Sequence, residues 1–173
     1  GSYYPTWLLR IWRYKDGHIE QRWMDEHIKL TKGETIQFEN DLVDDNLNDL
    51  TWWTTKHNNY ATREAVDILN IIHEFINYDE VNSNFFGTQE ERKRFLKKKY
   101  ANLPLFTRPF IYFLWRYFIK LGFLDGKQGL IWHFLQGFWY RFLVDAKIYE
   151  IEKKSKDSNL SLKDTLIQKY GFK

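Results

Sequence analysis

The chain has no cysteine among its 173 residues. That excludes disulfides and thiolate metal sites, and it permits a reducing compartment. Nowhere does the sequence read Asp-x-Asp, so a metal-held diphosphate has no evident ligand pair. The longest stretch without a charge is Gln128 to Tyr140, thirteen residues. A helix that crosses a bilayer needs about 20 predominantly apolar residues, so this run is too short to span one, though long enough to lie in its interface. No signal-peptide pattern, internal repeat, low-complexity tract or clear linker is evident. The opening Gly1-Ser2 reads equally as a cloning scar or as a cut from a longer chain.

What is abundant is aromatic: 19% of the residues are Phe, Trp or Tyr. The net charge of +3 hides a segregation. Ten acidic residues stand against three basic ones from Asp16 to Asp49, and nine basic against one acidic from Glu91 to Lys120. The acidic stretch suits a metal or a cationic group. The basic one suits phosphates or an anionic membrane surface. A solvated helix face is the plainer reading of such a run, and no nucleic-acid recognition motif accompanies it.

The periodicity predicts an α+β fold: a small, mostly antiparallel sheet followed by four to five helices that include an aromatic helical hairpin. "TWLLRIWRY", "HIEQRW", "HIKL" and "ETIQFEN" alternate as strands do, with turns at Lys15 to Gly17 and at Lys32-Gly33. From about Asn46 the apolar spacing changes to three and four, through Leu50, Trp53, His57, Tyr60, Ala65, Ile68 and Ile72. That is a helix stripe, with a break expected near Thr62. Thr88 and Glu91 form a capping box that opens a basic helix through Tyr100. Pro109 stands in the first turn of the next helix. "GFLDGKQG" reads as a turn, a long helix follows from Leu130, and a short helix closes the chain after a polar loop. Three segments result: strands in 1–45, a helical region in 46–104, and an amphipathic aromatic hairpin with its tail in 105–173.

Two sites stand out. The first is Asp25-Glu26, adjacent carboxylates beside Trp23 and His27. Successive strand residues face opposite ways, so Asp25 and His27 share a face unless the strand ends there and a turn brings both carboxylates to one cleft. A carboxylate in a cleft can take a proton from an attacking hydroxyl, whereas a strand-end pair with no chemistry is the plainer alternative. The second is the hairpin, where Trp115, Trp132 and Trp139 alternate with Arg108, Arg116, Lys120 and Arg141. Rings at headgroup level and cations that snorkel toward phosphates describe a membrane-surface element. A buried aromatic bundle core describes the same residues. "HEF" at His73 lacks the second histidine of a zinc-protease helix, and the five histidines are scattered. No metal ligand set is therefore assigned.

Three segments in order resemble the C-terminal portion of the family 2 glycosyltransferases, the inverting GT-A enzymes. "YYPTWLLRIWRYKDGHIEQRWMDEHIKL" resembles the later part of their catalytic domain, where a Tyr-Pro and an arginine-bearing strand precede an acidic pair. "WWTTKHNNYATREA" resembles the helix that follows. The stretch from Arg108 to Glu150, with its Arg-Pro, Gly-Phe-Leu-Asp-Gly and Lys-x-x-Glu, resembles the membrane-associated tail.

The resemblance implies transfer of a sugar from a nucleotide-sugar donor to a lipid-linked or surface-glycan acceptor, as in lipopolysaccharide, capsule or exopolysaccharide synthesis. It implies a peripheral location at the cytoplasmic face of a bacterial inner membrane. Glu26 falls on the base, with Asp25 as its alternative, because this chain reads Asp-Glu where relatives read Glu-Asp or His-Glu. Arg22, Trp23 and His27 fall on contacts to acceptor or phosphate. The nucleotide-binding half, with the Asp-x-Asp that holds Mg or Mn, has no counterpart in these residues, so they are expected to be inactive alone. The partners implied are the donor (through that other half), the acceptor glycan and an anionic membrane, with a second copy as a further one and nucleic acid as none. The competing classes are a non-enzymatic membrane-surface module and a soluble helical interaction module.

Overall fold

A computed structural model describes residues 6–20, 24, 26–43, 45–76 and 82–171 of the chain. The fold is α+β, with a two-stranded antiparallel sheet followed by five helical rods. Strand β1 (Gly17–Ile19) pairs with β2 (Ile28–Leu30) in the register Gly17 to Leu30, His18 to Lys29 and Ile19 to Ile28. Glu20 N–H donates to the His27 carbonyl at 2.9 Å and extends the ladder by one step.

The sheet is smaller than the sequence predicts. Residues 6–13 and 34–38 alternate as strands do, yet both segments are irregular. Ile11, Ile36 and Phe38 are exposed. Alternation prepares one face for burial, but a strand also needs an edge to pair with. Among the described residues the β1–β2 pair is the only sheet.

Helix α1 (Leu50–His73) begins at Asp49, whose carboxylate accepts from Trp52 N–H, and ends at Glu74 in a left-handed conformation. It runs through Thr62 without the expected break. Thr62 Oγ1 instead accepts from Lys147 Nζ at 2.9 Å. Helix α2 (Gln89–Ala101) carries the capping box of Thr88 and Glu91. Helix α3 (Thr107–Leu114) continues into a π-helical turn, Trp115–Ile119. The stretch read as a turn is itself wound, as a 3₁₀ turn over Gly122–Asp125. Helix α4 (Gly126–Trp132), a π-helical stretch (His133–Trp139) and α5 (Tyr140–Asp157) then form one rod, and α6 (Leu162–Tyr170) follows.

Glycine explains the tight reversal between the rods. A Cβ on Gly122 would lie 2.4 Å from His133 Nε2, and one on Gly129 would lie 2.6 Å from the Gly122 carbonyl. Only hydrogen fits at either position.

The core lies between the C-terminal half of α1 and α5. Ala61, Ala65, Val66, Ile68 and Leu69 meet Tyr140, Val144, Ile148 and Ile151, with Ala101 and Leu166 closing the sides. Into this apolar interface α5 places a carboxylate, Asp145, which is fully buried. It accepts from Arg108 Nε at 2.8 Å, from Arg108 Nη2 at 2.6 Å and from Phe106 N–H at 2.8 Å. Arg108 Nη1 donates to the carbonyls of Ala101, at 2.7 Å, and Tyr100, at 3.3 Å. One ion pair therefore joins the end of α2, the start of α3 and the middle of α5. Contacts also cross the other segment boundary, since Glu20 pairs with Arg94 of α2.

Removing one partner of a buried pair strands the other charge, at a cost of about 3–5 kcal/mol. Asp145→Ala should therefore lower the unfolding free energy by that amount in a urea titration. Glu150→Ala, which removes an exposed pair with Lys154 one turn along α5, should change it by less than about 0.5 kcal/mol.

Candidate functional site

The loop that carries the acidic pair is held at its base by a buried carboxylate that sequence reasoning passed over. Glu20 is 2% exposed. It accepts from His27 N–H at 2.7 Å, lies 3.1 Å from His27 Nδ1, and accepts from Arg94 Nη2 at 3.1 and 3.3 Å. Backbone and side chain together clasp residues 20 and 27 and tie them to α2. His27, expected at the acceptor or a phosphate, is half-buried and takes part in this clasp. Glu26 lies on the loop and is exposed. Asp25, Arg22 and Trp23 lie outside the described residues.

Met24 lines a polar cavity of about 260 Å³. Helix α1 contributes His57, Tyr60 and Glu64 to it, and the second rod contributes Gln136, Tyr140 and Arg141. The α1 residues are three and four apart, which puts them on one helix face. Gln136 comes from the π-helical stretch, where an extra residue per turn re-aims side chains; such stretches recur at functional sites. Two residues of chain span at most about 7 Å, so Glu26 lies within that distance of Met24, backbone to backbone.

Polar order inside the cavity is well defined. Tyr140 Oη donates to Glu64 at 2.5 Å, and Lys97 Nζ lies 3.9 Å from the same carboxylate. The His57 ring stacks on Trp53 at 3.6 Å between centroids, and its Nδ1 lies 2.8 Å from the Trp53 carbonyl. That contact assigns the proton to Nδ1 and leaves Nε2 as an acceptor. Burial lowers the His57 pKa from its ordinary value, and nearby Lys56 pushes the same way. Arg141 lays its guanidinium over Tyr112 at 4.2 Å. The Gln136 side chain sits against His57, and its buried Oε1 makes no hydrogen bond of good geometry.

The hairpin places its expected surface residues in two groups. Trp115, Trp132 and Lys120 are exposed, with Lys120 Nζ 5.2 Å from the Trp115 ring centre. Arg108 and Arg116, read from the sequence as membrane-facing cations, are buried instead. Arg108 serves Asp145, and Arg116 sits close enough to His133 to depress that histidine's pKa, after burial itself. Trp139 and Arg141 are half-buried and turn inward, Trp139 lying 6.2 Å from Trp53.

The aromatic surplus does two things. Phe110, itself exposed, meets Phe138 at 4.6 Å, and half-buried Phe113 meets Phe138 at 6.1 Å while stacking on Tyr117 at 5.4 Å, so rings join the two rods. The outer faces stay bare, as Phe118, Ile119, Leu121, Phe123 and Leu124 are all exposed around the tip. A purely buried aromatic core, the plainer expectation for these residues, accounts only for the inner half.

Comparison with family models, curated proteins and solved structures finds no match to this chain. The functional argument therefore rests on the residues themselves.

Among the described residues no helix is long and apolar enough to cross a membrane, and no group of three or more His, Asp or Glu side chains is arranged to hold a metal ion. The buried carboxylates do not fit one: Glu20 is taken by Arg94, Asp67 by Lys97 at 3.1 Å, and Asp145 by Arg108.

Proposed function

We propose that these residues are the acceptor-side and membrane-side part of an inverting family 2 glycosyltransferase acting at an anionic membrane surface. The observation that carries the reading is that Met24, two residues before the exposed Glu26, lines a polar cavity whose far wall belongs to the rod that directly follows the exposed apolar tip. A lipid-linked glycan needs both: a surface that rests on lipid, and a polar cleft within reach of it.

In the proposed reaction an acceptor hydroxyl attacks the anomeric carbon of a nucleotide-activated sugar. The new C–O bond forms as the bond to the diphosphate oxygen breaks, with inversion. The nucleoside diphosphate leaves with the electron pair, and the hydroxyl proton passes to Glu26, with Asp25 as its alternative. Glu26 adjoins His27, which is held by Glu20 and through it by Arg94. The nucleotide and its divalent metal belong to the donor half that the resemblance implies, and no step here is assigned to the metal. The setting proposed is the cytoplasmic face of a bacterial inner membrane, in the synthesis of a surface glycan.

At the membrane, Phe118, Ile119, Leu121 and Leu124 would enter the headgroup region, with Lys120 and Lys127 beside the lipid phosphates. Burying an exposed Ile or Leu in lipid contributes about 1.5–3 kcal/mol at full burial. A second reading, a membrane-surface module without catalysis, is favoured by the solvent exposure of Glu26.

Two measurements separate these. In the enzyme that joins these residues to a donor-binding half, Glu26→Gln should remove most turnover and leave the fold intact; an unchanged rate removes Glu26 from the chemistry. The 173-residue chain should float with phosphatidylglycerol vesicles at low salt. Replacing Ile119 and Leu124, 71% and 68% exposed, by Asp should reduce partitioning at least about tenfold without changing the circular dichroism. Equal flotation of the double variant would show that the tip is not the membrane contact.

A further inference from the structure

The cavity between α1 and the second rod has a chemistry of its own, beyond its place beside the Glu26 loop. At about 260 Å³ it is smaller than the roughly 300–1,000 Å³ of drug-sized ligand sites, so it suits a single ring. Its polar groups are mixed. Glu64 supplies a carboxylate, His57 an imidazole whose pKa burial lowers, Gln136 an amide, and Arg141 a guanidinium. Tyr60 and Tyr140 add aromatic surface.

Each ligand class can be weighed against that wall. A phosphate would sit beside the Glu64 carboxylate and a neutral histidine, with an arginine already engaged on Tyr112; a doubly charged anion there is unfavourable. A metal ion would find one carboxylate, itself bound by Tyr140 Oη. An apolar ring would leave the buried Gln136 Oε1 unsatisfied. A neutral ring with several hydroxyls meets every requirement. Hydroxyls both donate and accept, so they can pair with carboxylate, amide oxygen and imidazole nitrogen at once, while the C–H face of the ring lies on an aromatic side chain.

We infer that this cavity binds one uncharged pyranose ring, with Gln136, His57 and Glu64 taking its hydroxyls and Tyr60 its C–H face. Calling that ring the acceptor sugar rests on the glycosyltransferase reading; the binding itself does not.

The test is nuclear magnetic resonance on the 173-residue chain, titrated with methyl glucoside, methyl galactoside and N-acetylglucosamine. At least one sugar should shift the Gln136 side-chain amide and the His57 ring signals, saturating in the millimolar range. Gln136→Leu should weaken that binding about fivefold, as expected for one lost hydrogen bond. Tyr60→Leu serves as the second variant should the first disturb the fold. Inorganic phosphate should leave the same signals in place.

Pocket signals that no sugar moves, or that move equally in both variants, overturn the inference, and so does phosphate in place of sugar. The vesicle measurement is independent of this one. Sugar binding by a chain that fails to float leaves this inference standing and removes the membrane half of the proposed function. Flotation without sugar binding removes this inference alone.

Discussion

Everything in the helical part depends on a carboxylate placed where water cannot reach it. Asp145 is fully buried on the helix that packs against α1, and a charge there is tolerated only with full compensation. Arg108 supplies it with two N–H groups that both donate to Oδ1, and its Nη1 caps the end of α2. The backbone N–H of Phe106, a residue in a left-handed conformation, completes the shell. A hydrophobic trio of equal volume could match the stability of this cluster. What the ion pair adds is direction: it fixes where α3 leaves α2 and which face of α5 it meets.

That direction decides which aromatic rings are covered. With α3 locked against the second rod, Phe113, Tyr117 and Phe138 interdigitate, and the opposite faces have nothing left to pack on. Exposed large apolar residues gathered at one end of a hairpin mark a contact surface. On the rod that follows the tip, the π-helical stretch brings Gln136 to the cavity. The apolar tip thus leads directly into the helix that forms one wall of the pocket, so seating the tip would bear on the height and tilt of the pocket mouth.

Much of this was legible in the sequence, and the misses share a cause. The helix stripe from Leu50, the capping box at Thr88 and the small sheet with helices after it follow from local spacing and local hydrogen bonds. The strands expected at residues 6–14 and 34–40 required a neighbour, and alternation says nothing about whether one exists. Arg108 and Arg116 look from their neighbours like surface cations, since their burial is set by residues far along the chain. The signal for Arg108 was present: Asp145 sits in the apolar stripe of Tyr140, Val144 and Ile148, and a lone carboxylate in a core stripe calls for a buried cation. Glu20 was hidden for the opposite reason. It sits in a segment so rich in acids that its burial had no local sign, and Arg94, 74 residues away, is its counter-charge.

The central claim is that the Asp145 cluster is a closed, water-free bracket. The amide of Phe106 reports on it directly, because it sits in a connection between helices and its hydrogen bond goes to that carboxylate. Native-state hydrogen exchange should find this amide as protected as those in the middle of α5, exchanging only when the chain unfolds globally. Exchange at the rate of a fraying loop would mean that the bracket opens in the native state, and the fixed geometry of tip and pocket would be lost with it.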